Sequence, residues 1–258
     1  MRRLLIGDKK LRVRDEGEGK KAPVVLIHDA GGSSVAWIDV LKRLASRRRV
    51  IAPDLPGHGQ SDPWHAASSE VSIDLYRDAI GTICARLAVD RAVLVGHGMG
   101  GAIALACALA FPDRVAALVL VGCGARMKTL PALLTALADE KSDPAELIAR
   151  RIYSPSTSRA ITDRWRALNL QAPREIVIAD YRACDRIDLR AALPSIKTPA
   201  LAVAGSDDIV LPPQLSLKLA AGLGNARAVI LPHAGHMLFH EQPDRFHEAL
   251  DPFLAEVT

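Results

Sequence analysis

The chain has 258 residues, 49% hydrophobic and 24% charged, which fits one domain of an α/β type or two small ones, long enough to bury a core without disulfide staples. Its formal net charge is +4, but the basic residues are scattered, and no basic stripe interleaved with aromatics marks a nucleic-acid surface. The cysteines, Cys84, Cys107, Cys123 and Cys184, match neither a zinc nor a CxxC spacing and read as small buried hydrophobes in a reducing compartment.

The run Leu4-Leu5-Ile6 is too short for the core of a signal peptide. Residues 11–14 alternate like an early antiparallel strand, and Val24-Val25-Leu26-Ile27 is a continuous apolar run, as expected of a strand covered on both faces. Residues 35–46 place Trp37, Leu41, Leu44 and Ala45 on one helical face. Arg47-Arg48-Arg49 then reads as a solvated turn before a strand at 50–52. A second amphipathic helix spans 72–88, with Ile73, Tyr76, Ile80, Ile83 and Leu87 inward. A strand at 92–95 leads into 101–111, which is Ala-rich and apolar all round, hence a buried helix. That stretch is well short of the roughly 20 residues a membrane span needs, so no membrane association and a cytoplasmic location are expected.

After a strand at 118–121 the rhythm breaks. Residues 125–193 carry helical patterns punctuated by Pro131, Pro144, Pro155 and Pro173, with no buried strand. Strands at 200–204 and 228–231 and helices at 212–222 and 244–257 complete the chain. Strand–helix alternation of this kind predicts a mostly parallel sheet with helices on both faces. The division expected is a core of residues 1–124 and 194–258 with a helical cap, 125–193, over the C-terminal edge of the sheet, where such sheets bind ligands.

Chemistry-bearing residues cluster after three of the strands. Gly96-His97-Gly98-Met99-Gly100-Gly101 stands between strand and helix, the context of a G-x-S-x-G nucleophile elbow, but its central residue is Gly98. Gly205-Ser206-Asp207-Asp208 and Gly235-His236-Met237 follow later strands. The order elbow, acid, histidine separates this arrangement from other triad folds. A dinucleotide reading of the glycines fails for want of an acidic residue about 20 positions on.

Together with His28-Asp29-Ala30-Gly31-Gly32-Ser33, Asp54-Leu55-Pro56-Gly57-His58-Gly59-Gln60-Ser61 and the stretch from Gly235 to Pro243, these motifs resemble the α/β-hydrolase superfamily across almost the whole chain. The resemblance implies an eight-stranded sheet with a small helical cap and esterase-like or related acyl-transfer activity. It makes Asp208, rather than Asp207, the triad acid and His236 the base. Ala30 and Met99 would supply the oxyanion-hole N–H groups. Gly98 stands where the family has Ser, Cys or Asp. Asp29 stands where it usually has Gly, and a carboxylate there opposes an oxyanion unless it points away.

His97 reads as a structural or pocket-lining residue. His28, His58, His233 and His240 read as structural, and no metal or cofactor is expected. Ser33 and Ser34 are poor replacements for the missing hydroxyl, because the base should face the elbow. The expected partner is a small, partly apolar molecule, from the cap residues Leu130, Leu133, Leu134, Leu137, Ile148, Ile152 and Trp165; oligomeric state is not legible. Three functions fit: an ester hydrolase disarmed by a Ser-to-Gly change, a natural His–Asp enzyme activating water or deprotonating its substrate without a covalent step, and a non-catalytic ligand-binding protein.

Overall fold

The computed structural model describes residues 2–64, 70–129, 131–166 and 172–257, without the side chains at 144, 145, 147, 150, 165 and 166. Leu130 and Trp165, named above as cap residues, therefore lie outside what is described. Eight strands form one sheet in the order β1-β2-β4-β3-β5-β6-β7-β8. They are β1 (Arg2–Ile6), β2 (Lys9–Glu16), β3 (Val24–Ile27), β4 (Val50–Pro53), β5 (Ala92–His97), β6 (Val115–Val121), β7 (Ala200–Gly205) and β8 (Ala226–Leu231). From β4 to β8 every pairing is parallel, and β2 alone runs against the other strands, pairing antiparallel with both β1 and β4.

Burial follows from position in the sheet. The inner strands β3, β4, β5, β6 and β7 are buried along their whole length, which explains their unbroken runs of Val, Leu, Ile and Ala. The edge strand β1 is largely exposed and the edge strand β8 is only partly buried. β1 is the strand that sequence patterning missed. Leu4-Leu5-Ile6 carries no strand alternation, yet Ile6 pairs with Lys9 across a two-residue turn, with Gly7 at φ +62°.

The helices around the sheet are α1 (Ile38–Ala45), α2 (Ile73–Arg86), α3 (Met99–Ala110), α8 (Pro213–Leu223), α9 (Leu238–Glu241) and α10 (Pro243–Glu256). Ser72 caps α2 by accepting from Leu75 N–H. The Arg47–Arg49 turn is not simply solvated. Arg49 makes a two-pronged ion pair with the buried Asp15 carboxylate, and Arg48 is buried and donates to the Leu254 carbonyl.

Between β6 and β7 lie α4 (Pro131–Ala138), α5 (Pro144–Ile152), α6 (Arg159–Arg166) and α7 (Arg174–Arg186). Three of the punctuating prolines mark helix starts: Pro131 and Pro144 are the first residues of α4 and α5, and Pro173 precedes α7. That is where a residue lacking its N–H costs least. No strand forms here among the described residues, only an isolated bridge between Arg126 and Asp188.

Candidate active site

The elbow is built by backbone crowding. A Cβ on Gly96 would lie 2.1 Å from the Gly100 carbonyl oxygen, and one on Gly100 would lie 2.3 Å from that of Ile27. Only glycine lets β5, α3 and β3 close up this tightly. Gly98, at the turn, has φ +51° and ψ −114°, a conformation strained for any residue with a side chain. α3 begins immediately after it at Met99, two residues earlier than the sequence pattern indicated.

His236 and Asp208 come together as expected, with His236 Nδ1 2.7 Å from Asp208 Oδ2. The other oxygen of Asp208 accepts from Val210 and Leu211 N–H, which fixes the carboxylate. Asp207 points elsewhere and accepts from the Ser154 and Ser206 hydroxyls. Both members of the His236–Asp208 pair are buried.

Asp29 is the departure that reshapes the site. Its side chain turns into the elbow instead of away. Oδ1 accepts the Met99 N–H at 2.6 Å, and Oδ2 lies 3.1 Å from His236 Nε2. A Cβ on Gly98 would sit 2.1 Å from Asp29 Oδ1 and 2.3 Å from its Cγ. The carboxylate therefore fills the place of a nucleophile side chain. It takes the space beside Gly98 that a water would need, and the Met99 N–H expected to receive an oxyanion already holds Oδ1. Ala30 lines the cavity beside Asp29.

Both ring nitrogens of His236 now face carboxylates, so the doubly protonated ring is the form that satisfies both contacts. Burial alone would depress its pKa, but the Asp208 and Asp29 carboxylates outweigh burial and hold it at about 10. For Asp29, burial would raise the carboxyl, yet the His236 hydrogen bond and nearby positive charge bring it well below the usual carboxylate range.

His97 does not line the pocket. It packs behind His236, ring centroids 4.4 Å apart, and its Nε2 donates to the His236 carbonyl at 3.0 Å. Burial and the charge of His236 push it down to about 4. Asp29, His97 and His236 bring ligand atoms within 4.8 Å of one another, with His97 Nε2 and both His236 nitrogens engaged as described. His28 serves the loop, its Nε2 accepting from Leu55 N–H. His240 Nε2 donates to the Ala36 carbonyl. Ser34 gives its N–H to Asp54 and its hydroxyl oxygen to Arg14, away from the elbow.

Two structural anchors of the site were not singled out from the sequence. Asp180, on α7 and wholly buried, accepts from Gly31 N–H, Tyr76 Oη–H and His58 Nε2–H at 2.7–2.8 Å. It ties the inserted helices to the loop that carries Asp29. His58 also gives Nδ1–H to Pro56 O, and although burial opposes it, Asp180 raises the ring's pKa. Glu241 accepts from Gly235 N–H and Ser154 N–H and so fixes the loop that bears His236.

Asp29, Met99 and His236 open onto a cavity of ≈ 670 Å³, part of it open to solvent. Leu133, Ile148, Ile152 and Tyr181 from α4, α5 and α7 form its apolar wall, and Lys128 and Arg151 add positive charge. Among the described residues, no helix is long and apolar enough to cross a membrane.

Known proteins agree with this architecture. The chain is 31% identical over 274 residues to a 2-hydroxy-6-oxononadienedioate/2-hydroxy-6-oxononatrienedioate hydrolase of Paraburkholderia phymatum, covering 98% of this chain and 94% of that one. It is 30% identical over 275 residues to a 2-hydroxymuconate semialdehyde hydrolase of Pseudomonas putida, covering 99% and 94%. A thermophilic esterase from Thermogutta terrifontis superposes with a TM-score of 0.88 at 27% identity, covering 100% and 99%. Residues 24–249 match the profile of the Alpha/beta hydrolase family, and the chain belongs to that family.

Proposed function

We propose that this chain hydrolyses a small, partly apolar molecule in the cavity under α4–α7, with His236, oriented by Asp208, moving the protons. The observation that carries this is the buried His236–Asp208 contact at 2.7 Å, with the far side of the ring turned to the elbow and the cavity. A side-chain pair kept in working geometry at the mouth of an apolar cavity fits an enzyme better than a passive binder. The two relatives from Paraburkholderia phymatum and Pseudomonas putida named above are hydrolases, which supports the reading. Lys128 and Arg151 suit a substrate with an anionic end. The free thiols suit a reducing, cytoplasmic setting.

An acyl-enzyme on an elbow hydroxyl is not available, because Gly98 has no side chain. A serine disarmed by one substitution is disfavoured too, since Asp29 and Gly98 fit each other and a serine would not fit beside that carboxylate. The test is turnover by the chain as it stands against small esters, lactones and alkyl electrophiles, beside His236→Ala and Asp208→Asn. Hydrolysis lost in both variants is the expected result. Turnover unchanged in His236→Ala, or tight ligand binding with no turnover in any form, contradicts the proposal.

A further inference from the structure

We propose that Asp29 is the nucleophile: its Oδ2 displaces a leaving group from an sp³ carbon of the substrate, and the aspartyl ester so formed is hydrolysed with the help of His236. The inference rests on the hydrolase reading above and names its substrate class, a small, partly apolar alkyl electrophile such as an epoxide or alkyl halide. It assigns chemistry to a residue from the loop after β3, not from the elbow itself.

Four observations converge on Asp29. Its carboxylate occupies the volume where a side chain at position 98 would begin. Its Oδ1 rests on the Met99 N–H, and its Oδ2 faces His236 Nε2. It lines the cavity, and its side chain is 25% exposed, so a substrate can reach it. The choice of an sp³ carbon follows from the second observation. Attack on an ester carbonyl needs a donor for the substrate's own oxyanion, and the Met99 N–H is already spent on Oδ1. Displacement at an sp³ carbon develops charge on the leaving group instead, where the His236 imidazolium can protonate it.

The steps balance. In the first, Oδ2 forms a bond to carbon and the carbon–leaving-group bond breaks; an epoxide oxygen departs with its electron pair and takes the His236 Nε2 proton, whereas a halide departs as the anion and the His236 Nε2 proton passes to water. Asp29 is then a neutral ester and His236 a neutral base. In the second, His236 removes a proton from water, and the oxygen attacks Asp29 Cγ. The oxyanion forms on Oδ1, where the Met99 N–H already points. Collapse expels the substrate carbon with the original Oδ2 as an alcohol. The aspartate and the imidazolium are restored, and the net reaction consumes one water.

The test uses the full chain with phenyl glycidyl ether and phenethyl bromide as probes, enzyme in excess, in water enriched in oxygen-18. The expected result is one heavy oxygen in the tryptic peptide spanning residues 22–42, placed on Asp29 by fragmentation, and unlabelled first-turnover alcohol. His236→Gln should accumulate the probe as an ester on Asp29, most cleanly with the bromide, whose departure needs no proton. Asp29→Asn should lose at least about 10³-fold in turnover. Heavy oxygen in the first-turnover product with none on Asp29 overturns the inference and leaves the hydrolase reading standing. So does hydrolysis of small esters with neither turnover of the probes nor an Asp29 adduct in His236→Gln. No hydrolysis of any compound by the parent chain removes both.

Discussion

Replacing Gly98 with serine restores the hydroxyl of the elbow but not its room. The new Cβ would fall 2.1 Å from Asp29 Oδ1, so the carboxylate must leave, and the backbone at φ +51° must carry a side chain. The backbone strain costs about 1–3 kcal/mol. Asp29 loses its bonds to Met99 N–H and His236, each charge-assisted and worth about 1.5–3 kcal/mol. Because the carboxylate is partly exposed and can turn into the cavity, the low ends apply, giving about 4 kcal/mol in total. For a chain of this size that lowers Tm by roughly 8–16 °C. Removing the carboxylate as well, in Asp29→Gly/Gly98→Ser, relieves the clash and leaves Met99 N–H free for an oxyanion. Thermal unfolding and hydrolysis of p-nitrophenyl acetate should therefore show Gly98→Ser destabilised and inert, with the double variant more stable than it and hydrolytically active. A Gly98→Ser protein as stable as the parent and fully active would refute the reasoning.

Other consequences are open to measurement. Asp208→Asn keeps the shape of the pair but removes its charge, and should lower turnover by roughly 10³–10⁴-fold with little change in KM. Asp180→Ala strands three buried donors and should cost about 3–5 kcal/mol in chemical denaturation. Because His58 has a raised folded pKa, its pairing with Asp180 contributes in full below the ordinary value of 6.5 and is lost as pH climbs through the raised one. The penalty of Asp180→Asn should thus shrink as pH rises above the ordinary value of 6.5, and a constant penalty would contradict the assignment. Arg151→Ala should raise KM for carboxylate-bearing substrates more than for neutral ones, leaving kcat unaltered; an equal effect on both would deny it an anion-binding role.

Much of this molecule is legible in its residue pattern, because the signals are local. Buried runs mark β3 to β7, glycines mark the elbow, and the resemblance to the family selects Asp208 over Asp207. What escapes is what depends on direction in space. Asp29 was visible as an anomaly, but whether its carboxylate enters or leaves the elbow depends on a side-chain rotation that spacing does not encode. His97 faces the back of His236 instead of the pocket for the same reason. Asp180 did leave a trace: it falls on the buried stripe of α7 with Ile176, Val177, Ala183 and Cys184, and an acid on an apolar stripe calls for buried donors. The Gly7-Asp8 turn between Ile6 and Lys9 likewise signalled the β1–β2 hairpin.

The most direct measurement is the protonation of the His236 ring by nitrogen NMR on labelled protein across pH. With Asp208 on one side and Asp29 on the other, both ring nitrogens should remain protonated at about pH 8, since the pair holds the ring near about 10. Asp29→Asn should bring that titration down. A ring in the parent that is neutral at about pH 8, with a bare Nε2, would mean that Asp29 does not sit against it and would contradict the account.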